Sequence, residues 1–260
     1  MYSLKIYSIT INTIILLAVV FTCMGSLRVV ASSKVPIADT TREQVNDAQL
    51  VGLFEKLCRQ ISFTGRNYTV GGTISIDDKA EPAERMDHVV FLFCRQGDEF
   101  YYRLGKTVTV NAGGSYLYID NGNKKIMLSQ QKAVVDGTGL SQLTNMAANI
   151  KLENYRISSK IAGPDQTISL INERHVSCKE YAVKFDRRNM KIKSLYIRLT
   201  DQADPFNQNK EKIVKVSLSQ WQPEANVNKY LTKDQVIVAT KRGWKTVGEF
   251  SNYQLVNMSN

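Results

Sequence analysis

The sequence predicts an α+β fold dominated by antiparallel β-sheet, and three observations carry that expectation. First, glycine turn signals recur about every eight residues between Met86 and Leu128, at Gly97, Gly105, Gly113/Gly114 and Gly122. The runs between them, Val89–Cys94, Glu99–Leu104, Lys106–Val110, Ser115–Ile119 and Lys124–Leu128, are rich in β-branched and aromatic residues. Strands joined by such short turns pair antiparallel, because a parallel return needs a long crossover. Second, the pattern resumes beyond residue 154, at Tyr155–Lys160, Thr167–Ile171, Glu180–Phe185, Lys191–Leu199 and Lys212–Trp221. Third, helical periodicity is confined to two segments, residues 41–62 and 140–150.

Taken in order, residues 1–31 read as an export signal. Lys5 is a short positive n-region, Ile14–Phe21 an uninterrupted apolar h-region, and Val29-Val30-Ala31 offers small-residue cleavage chemistry before Ser32. The run is shorter than the roughly 20 residues that span a bilayer, and an uncleaved anchor over Ile9–Leu27 is the alternative. Cys23 follows Val20-Phe21-Thr22, which fits lipobox chemistry poorly. Thr40 or Thr41 then N-caps a helix, with Glu43/Gln44 placed for a capping box. Leu50, Leu53, Phe54, Leu57, Cys58 and Ile61 form its apolar stripe. Tyr68–Ile76 is the first strand, with Gly71-Gly72 marking a bulge or bend. Asp77–Arg85 is a charged loop into the meander, where Asp120-Asn121-Gly122 is the clearest hairpin turn.

Beyond the meander, Gln130–Gly139 is a loop, and Leu140, Leu143, Met146, Ala147 and Ile150 share one face of a short helix. Such a helix is stable only when docked on something apolar. In the second half Asp186–Asn189 is a turn and Asp201–Lys210 a loop. In the tail, Asp234–Thr240 suits a strand or a short helix, and Glu249–Asn260 a final strand. No Pro/Gly/Ser linker divides the chain, so residues 32–260 are expected to form a single domain after the signal.

Residues two apart share a face of a strand. Alternation places Val89, Phe91 and Phe93, then Phe100, Tyr102 and Leu104, then Val108 and Val110 on one apolar face, with Leu117, Ile119, Ile126 and Leu128 as further members. Glu99, Arg103, Thr107, Thr109, Tyr116, Tyr118 and Met127 fall on the other. A wide apolar sheet face needs a cover, from a second sheet, a helix or a ligand. The expected ligand site is therefore an apolar trough formed by Val89, Phe91, Phe93, Phe100, Tyr102, Leu104, Val108 and Val110, lidded by Leu140, Leu143 and Met146.

Motifs for chemistry are sparse. The net charge of +10 favours anionic partners, but the basic residues are scattered and carry no nucleic-acid signature. His88 and His175 are the only histidines; His175 and Cys178 lack a second pair at zinc-like spacing. A nucleophile pairing His with Cys94 or Cys178 requires a proximity that spacing does not reveal, and no Gly-x-Ser-x-Gly elbow, Walker loop or dinucleotide fingerprint occurs. Cys58 and Cys94 sit at apolar positions as small hydrophobes. No catalytic residue, metal or cofactor is expected.

The order of export signal, amphipathic helix, long meander, short helix and further antiparallel strands resembles the periplasmic outer-membrane lipoprotein carriers of Gram-negative bacteria, the LolA/LolB-like proteins. The segments that carry the resemblance are GDEFYYRLGKTVTVNAGGSYLYIDNGNKKIML and EYAVKFDRRNMKIKSLYIRL. It covers most of residues 40–221; the long Asp77–Arg85 loop and the residues after Trp221 depart from the family layout, and no family residue is carried over. The resemblance implies a curved antiparallel half-barrel with helices packed on or plugging its concave face. It also implies a periplasmic carrier of lipid, lipoprotein acyl chains or other amphiphiles, with peripheral membrane contact. The alternative is a non-catalytic cell-envelope interaction or assembly protein whose core is filled by its own residues.

Overall fold

The computed structural model describes residues 41–61, 67–133, 150 and 152–258. The expected export signal, residues 1–31, and the expected lid residues Leu140, Leu143 and Met146 lie outside them. Helix α1 (Thr41–Ile61) precedes eleven strands: β1 (Asn67–Asp78), β2 (Met86–Gln96), β3 (Glu99–Leu104), β4 (Thr107–Ala112), β5 (Ser115–Asp120), β6 (Lys125–Gln130), β7 (Arg156–Ala162), β8 (Asp165–Ile171), β9 (Cys178–Asp186), β10 (Ile192–Leu199) and β11 (Lys212–Gln222). Helix α2 (Lys233–Val236), the hairpin β12 (Ile237–Thr240) and β13 (Gly243–Thr246), and strand β14 (Gln254–Asn257) follow. The protein is thus mostly a large antiparallel sheet with few helices. Its hydrogen-bonded order is β14-β6-β5-β4-β3-β2-β1-β11-β10-β9-β8-β7, and among the described residues only β12 and β13 stand apart. β14 joins β6 in parallel, whereas the ladders β2–β6 and β7–β10 are antiparallel throughout.

The chain divides into two compact units. One draws on residues up to 62, 76–85 and 137–215, the other on residues 63–75, 86–136 and 216–260. Strands β1 and β11 run through both.

In the first unit the register places Ile157, Leu170, Ile168, Tyr181, Val183, Leu195 and Ile197 on one face of β7–β10. All seven are buried, and α1 packs there through Phe54, whose ring meets Tyr181 edge-on at 5.7 Å and 87°. Phe54, Leu57 and Cys58 are fully buried, as the apolar stripe requires. Burial raises the Cys58 thiol to about 12, with the nearby Glu55 carboxylate adding to the rise.

The register slips by one residue twice, leaving Lys179 on β9 and Lys193 on β10 without a cross-strand partner in the β9–β10 ladder. A bulge re-aims the side chain it carries, and both lysines meet acids. Lys193 reaches Asp165 at 2.5 Å and Asp186 at 3.5 Å; the buried Lys179 reaches Glu211 at 2.9 Å. At the β9–β10 turn, Asp186 accepts from the backbone N–H and Nε of Arg188 (3.0 and 3.1 Å) and pairs with its Nη2 at 2.8 Å. These bonds from Arg188 hold the Asp186 carboxyl far below the ordinary carboxylate range.

A carboxyl lowered in the folded state stabilises the fold above its unfolded pKa, about 3.9, and loses that contribution as pH falls towards its folded value. The stability gap between wild type and Asp186→Asn is therefore expected to be full at pH 7 and to narrow steadily below about pH 4, as read by urea denaturation across pH.

The tail contains both alternatives that its sequence allowed. Residues 233–236 are helical, with Gln235 Oε1 accepting from the Thr232 N–H at 2.8 Å, and 237–240 are extended. The turn after β5 differs from expectation. Asn121-Gly122 does not supply positive φ; instead Asp120 Oδ1 accepts from the N–H groups of Gly122 and Asn123 (2.9 and 3.0 Å), and Lys124 takes φ +51°. An Asx turn replaces the two-residue hairpin. At Gly71-Gly72 the strand runs on uninterrupted, and Gly72 serves a close approach: a Cβ there would lie 1.8 Å from the Ser217 carbonyl oxygen.

Candidate functional site

The second unit is organised by the register of the meander, and that register corrects the predicted trough. Phe91 faces Leu104 and Phe93 faces Tyr102, so β2 and β3 share a face as expected. The two-residue connection Gly105-Lys106 then pairs Leu104 with Thr107 and Tyr102 with Thr109. Across a two-residue turn, partners are an odd number apart, so even-numbered residues of β3 share a face with odd-numbered residues of β4. Val108 and Val110 consequently lie on the opposite face, opposite Arg103 and Tyr101, and they continue through Ile119 and Leu117 to Ile126 and Leu128. The two valines are not part of the surface formed by Phe91, Phe93, Phe100, Tyr102 and Leu104. Gly113-Gly114 repeats the geometry with φ of +58° and +75°, a pair of angles that only glycine adopts freely.

The Val108/Val110 face is filled by the protein itself. Cys94, Tyr101, Val108, Val110, Leu117, Ile119, Ile126 and Leu128 pack into one core with Val227, Val236, Ile237 and Phe250 from the tail. Tyr230 stacks on Tyr101 at 5.0 Å and 16°, and Tyr253 is hydrogen-bonded to Asn121 at 2.9 Å. Cys94 belongs to this core, where its Sγ accepts from the Thr69 hydroxyl at 3.4 Å.

The other face is the aromatic one. The Phe93 ring lies 5.6 Å from Tyr68, 5.8 Å from Phe100 and 6.1 Å from Tyr102. Phe91, Tyr102, Leu104 and Tyr118 are buried, whereas Phe93 and Phe100 are half-buried. Val89 stands beside Gly105, its Cγ1 3.1 Å from where a Cβ on that glycine would sit. The register adds Thr109, Asn111, Tyr116, Tyr118 and Met127, none of which alternation alone had placed here. The missed signal is the parity of the turns: two residues between strands exchange odd and even, and the sequence shows those turns plainly.

Polar groups on this face are mostly spoken for. The fully buried Asn111 donates to the carbonyls of Asp98 and Lys132 (3.1 and 3.0 Å) and accepts from the Lys132 N–H at 2.8 Å. The Lys132 ammonium sits 3.9 Å over the Tyr116 ring. Arg95 donates through Nε to the Gly97 carbonyl at 2.9 Å and bonds the Tyr68 hydroxyl, partly offsetting the burial that lifts that phenol to about 12. Burial likewise lifts Tyr118 to about 12, helped by Asp120 and Tyr116, and alone lifts Tyr102 further. The Tyr102 hydroxyl is the exception: it is enclosed and has no hydrogen-bond partner among the described residues.

Two other arrangements occur in the first unit. A polar cleft of about 260 Å³ is lined by Asp78, Glu81, Ser177, Thr200, Asp201 and Lys212, among others. Within it Lys212 pairs with Asp78 at 2.6 Å. Beside it, His175 Nδ1 lies 3.2 Å from Ser177 Oγ while Nε2 lies 3.3 Å from Glu153, an outline reminiscent of an acid–base–nucleophile relay. However, Nδ1 also accepts from the backbone N–H groups of Ser177 and Cys178 (3.2 and 3.0 Å). Its lone pair closes the turn, which fixes the proton on Nε2 and leaves no free base towards Ser177. Cys178 Sγ donates to the Glu180 carbonyl at 3.4 Å. His88 is exposed, against Asp87 at 2.7 Å. Among the described residues, Cys58, Cys94 and Cys178 are buried and joined in no disulfide, no His/Cys/Asp/Glu group suits a metal ion, and no helix is long and apolar enough to cross a membrane.

No family model matches the sequence, and no curated protein does. Among solved structures the chain is similar to a conserved protein from Thermus thermophilus, at TM-score 0.35 and 7% identity, over 82% of this chain and 99% of that one. It is also similar to Mycobacterium tuberculosis lipoprotein LppX, at TM-score 0.30 and 10% identity, over 70% and 99% of the two chains. A third is a Vibrio parahaemolyticus domain described as an outer membrane lipoprotein-sorting protein, at TM-score 0.24 and 9% identity, over 71% and 96%. Likeness at this level assigns no family.

Proposed function

We propose that the protein is an exported, non-catalytic carrier that holds a lipid, a lipoprotein acyl chain or another amphiphile against the aromatic face of the meander. The observation that supports this reading is the asymmetry of the sheet. One face is filled by the tail, while the other gathers Tyr68, Phe91, Phe93, Phe100, Tyr102 and Leu104 and leaves Phe93 and Phe100 half-buried. Each acyl CH₂ removed from water is worth about 0.8 kcal/mol, so such a face holds a chain without any reactive residue. The basic surface favours peripheral contact with anionic head groups.

Native mass spectrometry of the purified protein, with its extracted lipids analysed alongside, tests the proposal. Wild type is expected to carry acyl species and to release a fluorescent fatty-acid probe on competition. Phe93→Asp, which sets a carboxylate among the rings, is expected to weaken uptake by more than about tenfold, since an unpaired charge on an apolar surface costs several kcal/mol. A lipid-free wild type that takes up no probe refutes it. The second reading, an envelope interaction protein with a self-filled core, draws on the tail's packing over Val108 and Val110. It predicts stoichiometric in-cell crosslinking to one protein with no lipid present.

A further inference from the structure

We propose that the amphiphile on the aromatic face is a neutral ester-linked lipid whose carbonyl oxygen accepts a hydrogen bond from the Tyr102 hydroxyl. The inference rests on the carrier reading above and names its ligand class. Tyr102 is 7% exposed, and its hydroxyl is enclosed without a hydrogen-bond partner among the described residues. Buried hydroxyls are nearly always paired, because an unpaired one forfeits its hydration for nothing. Its neighbours obey that rule: Asn111 is saturated by the backbone, Tyr116 bonds Thr109, and Arg95 is committed to Gly97 and Tyr68.

Tyr102 pairs across the strands with Phe93 and Thr109, and its ring lies 6.1 Å from that of Phe93. The hydroxyl is thus an enclosed donor on a largely aromatic face whose other polar groups are paired, and its complement is a strong acceptor flanked by hydrocarbon. A carboxylate or phosphate there would be desolvated, with the Arg95 guanidinium already engaged elsewhere. An ether oxygen is a weak acceptor. An ester carbonyl meets both requirements.

Dioleoylglycerol, its diether analogue and oleate would be compared as displacers of a fluorescent fatty-acid probe, with wild type and Tyr102→Phe. The diester is expected to bind wild type about tenfold more tightly than the diether, the worth of one buried hydrogen bond. In Tyr102→Phe that advantage disappears while diether binding is unchanged. The variant's denaturation midpoint, without lipid, is expected to be unchanged or higher, because a lost unpaired hydroxyl removes a desolvation cost. Equal binding of diester and diether by wild type, or oleate binding more tightly than both, overturns the inference and leaves the carrier reading intact. Failure of all three lipids to displace the probe overturns both. Should the variant not fold, the wild-type comparison decides alone.

Discussion

Gly72→Ala is expected to destabilise the protein by about 3 kcal/mol or more, a large share of the roughly 5–15 kcal/mol that holds an ordinary domain folded. The added methyl would stand 1.8 Å from the Ser217 carbonyl oxygen, 2.9 Å from its carbon and 3.1 Å from Leu218 Cα. All three are backbone atoms of β11, so relief requires two hydrogen-bonded strands to part. Gly71→Ala is the control. Its methyl meets Leu92 Cδ1 at 3.0 Å and the Phe91 carbonyl at 3.3 Å, and the first of these is the far end of a mobile side chain. A cost of about 1 kcal/mol is expected there. Urea denaturation of both variants checks the contrast; equal losses would mean that β1 and β11 do not approach as closely as described.

Glu211→Ala should cost about 3–5 kcal/mol, the usual penalty for stranding a buried charge. Glu211 Oε1 takes the Lys179 ammonium at 2.9 Å, with side-chain exposures of 5% and 3%, and lies 3.6 Å from Arg198 Nη1. Lys79 approaches the other oxygen at 3.8 Å. Arg198 keeps Glu173 and Glu180, and Lys79 keeps the Gln208 carbonyl at 2.8 Å, so Lys179 is the group left without a carboxylate. Removing both charges together, as Lys179→Met with Glu211→Leu, is expected to recover most of the loss, because an apolar pair of similar volume replaces a buried ion pair at little cost. Urea midpoints at neutral pH for the single and double variants check this. A double variant as unstable as the single would show that the penalty arises from packing around Glu211 rather than from charge.

The strands were legible because their turns are. Glycines at 97, 105 and 113–114 punctuate β2 to β5, and all four sit at positive φ. What alternation within a strand does not carry is the hand-over between strands. Assigning Val108 and Val110 to the Phe91 face assumes that even stays with odd or even across a turn by residue type alone, whereas connection length decides it. The same arithmetic, applied to Gly105-Lys106 and then to Gly113-Gly114, would have brought Thr109, Asn111 and Tyr118 to the aromatic face. The tail was less legible for a different reason. Residues 225–257 are built of strands and helical turns of three or four residues, too short to show a period, and they are stabilised by the face they cover. The pairing of Lys179 with Glu211 spans the chain between β9 and β11, and depends on a bulge that nothing in the local sequence announces.

The interleaving of the two units sets an order of assembly during synthesis. One unit needs residues up to 215, so it can close before the chain is finished; the other holds the whole meander yet waits for residues 216–257. Until β14 pairs with β6 and the tail settles over Leu117 and Ile126, that meander has a bare edge and an uncovered apolar face. Nascent chains halted before residue 216 should therefore be the species most in need of a holding chaperone, since unpaired edges and exposed apolar faces are what drive early aggregation.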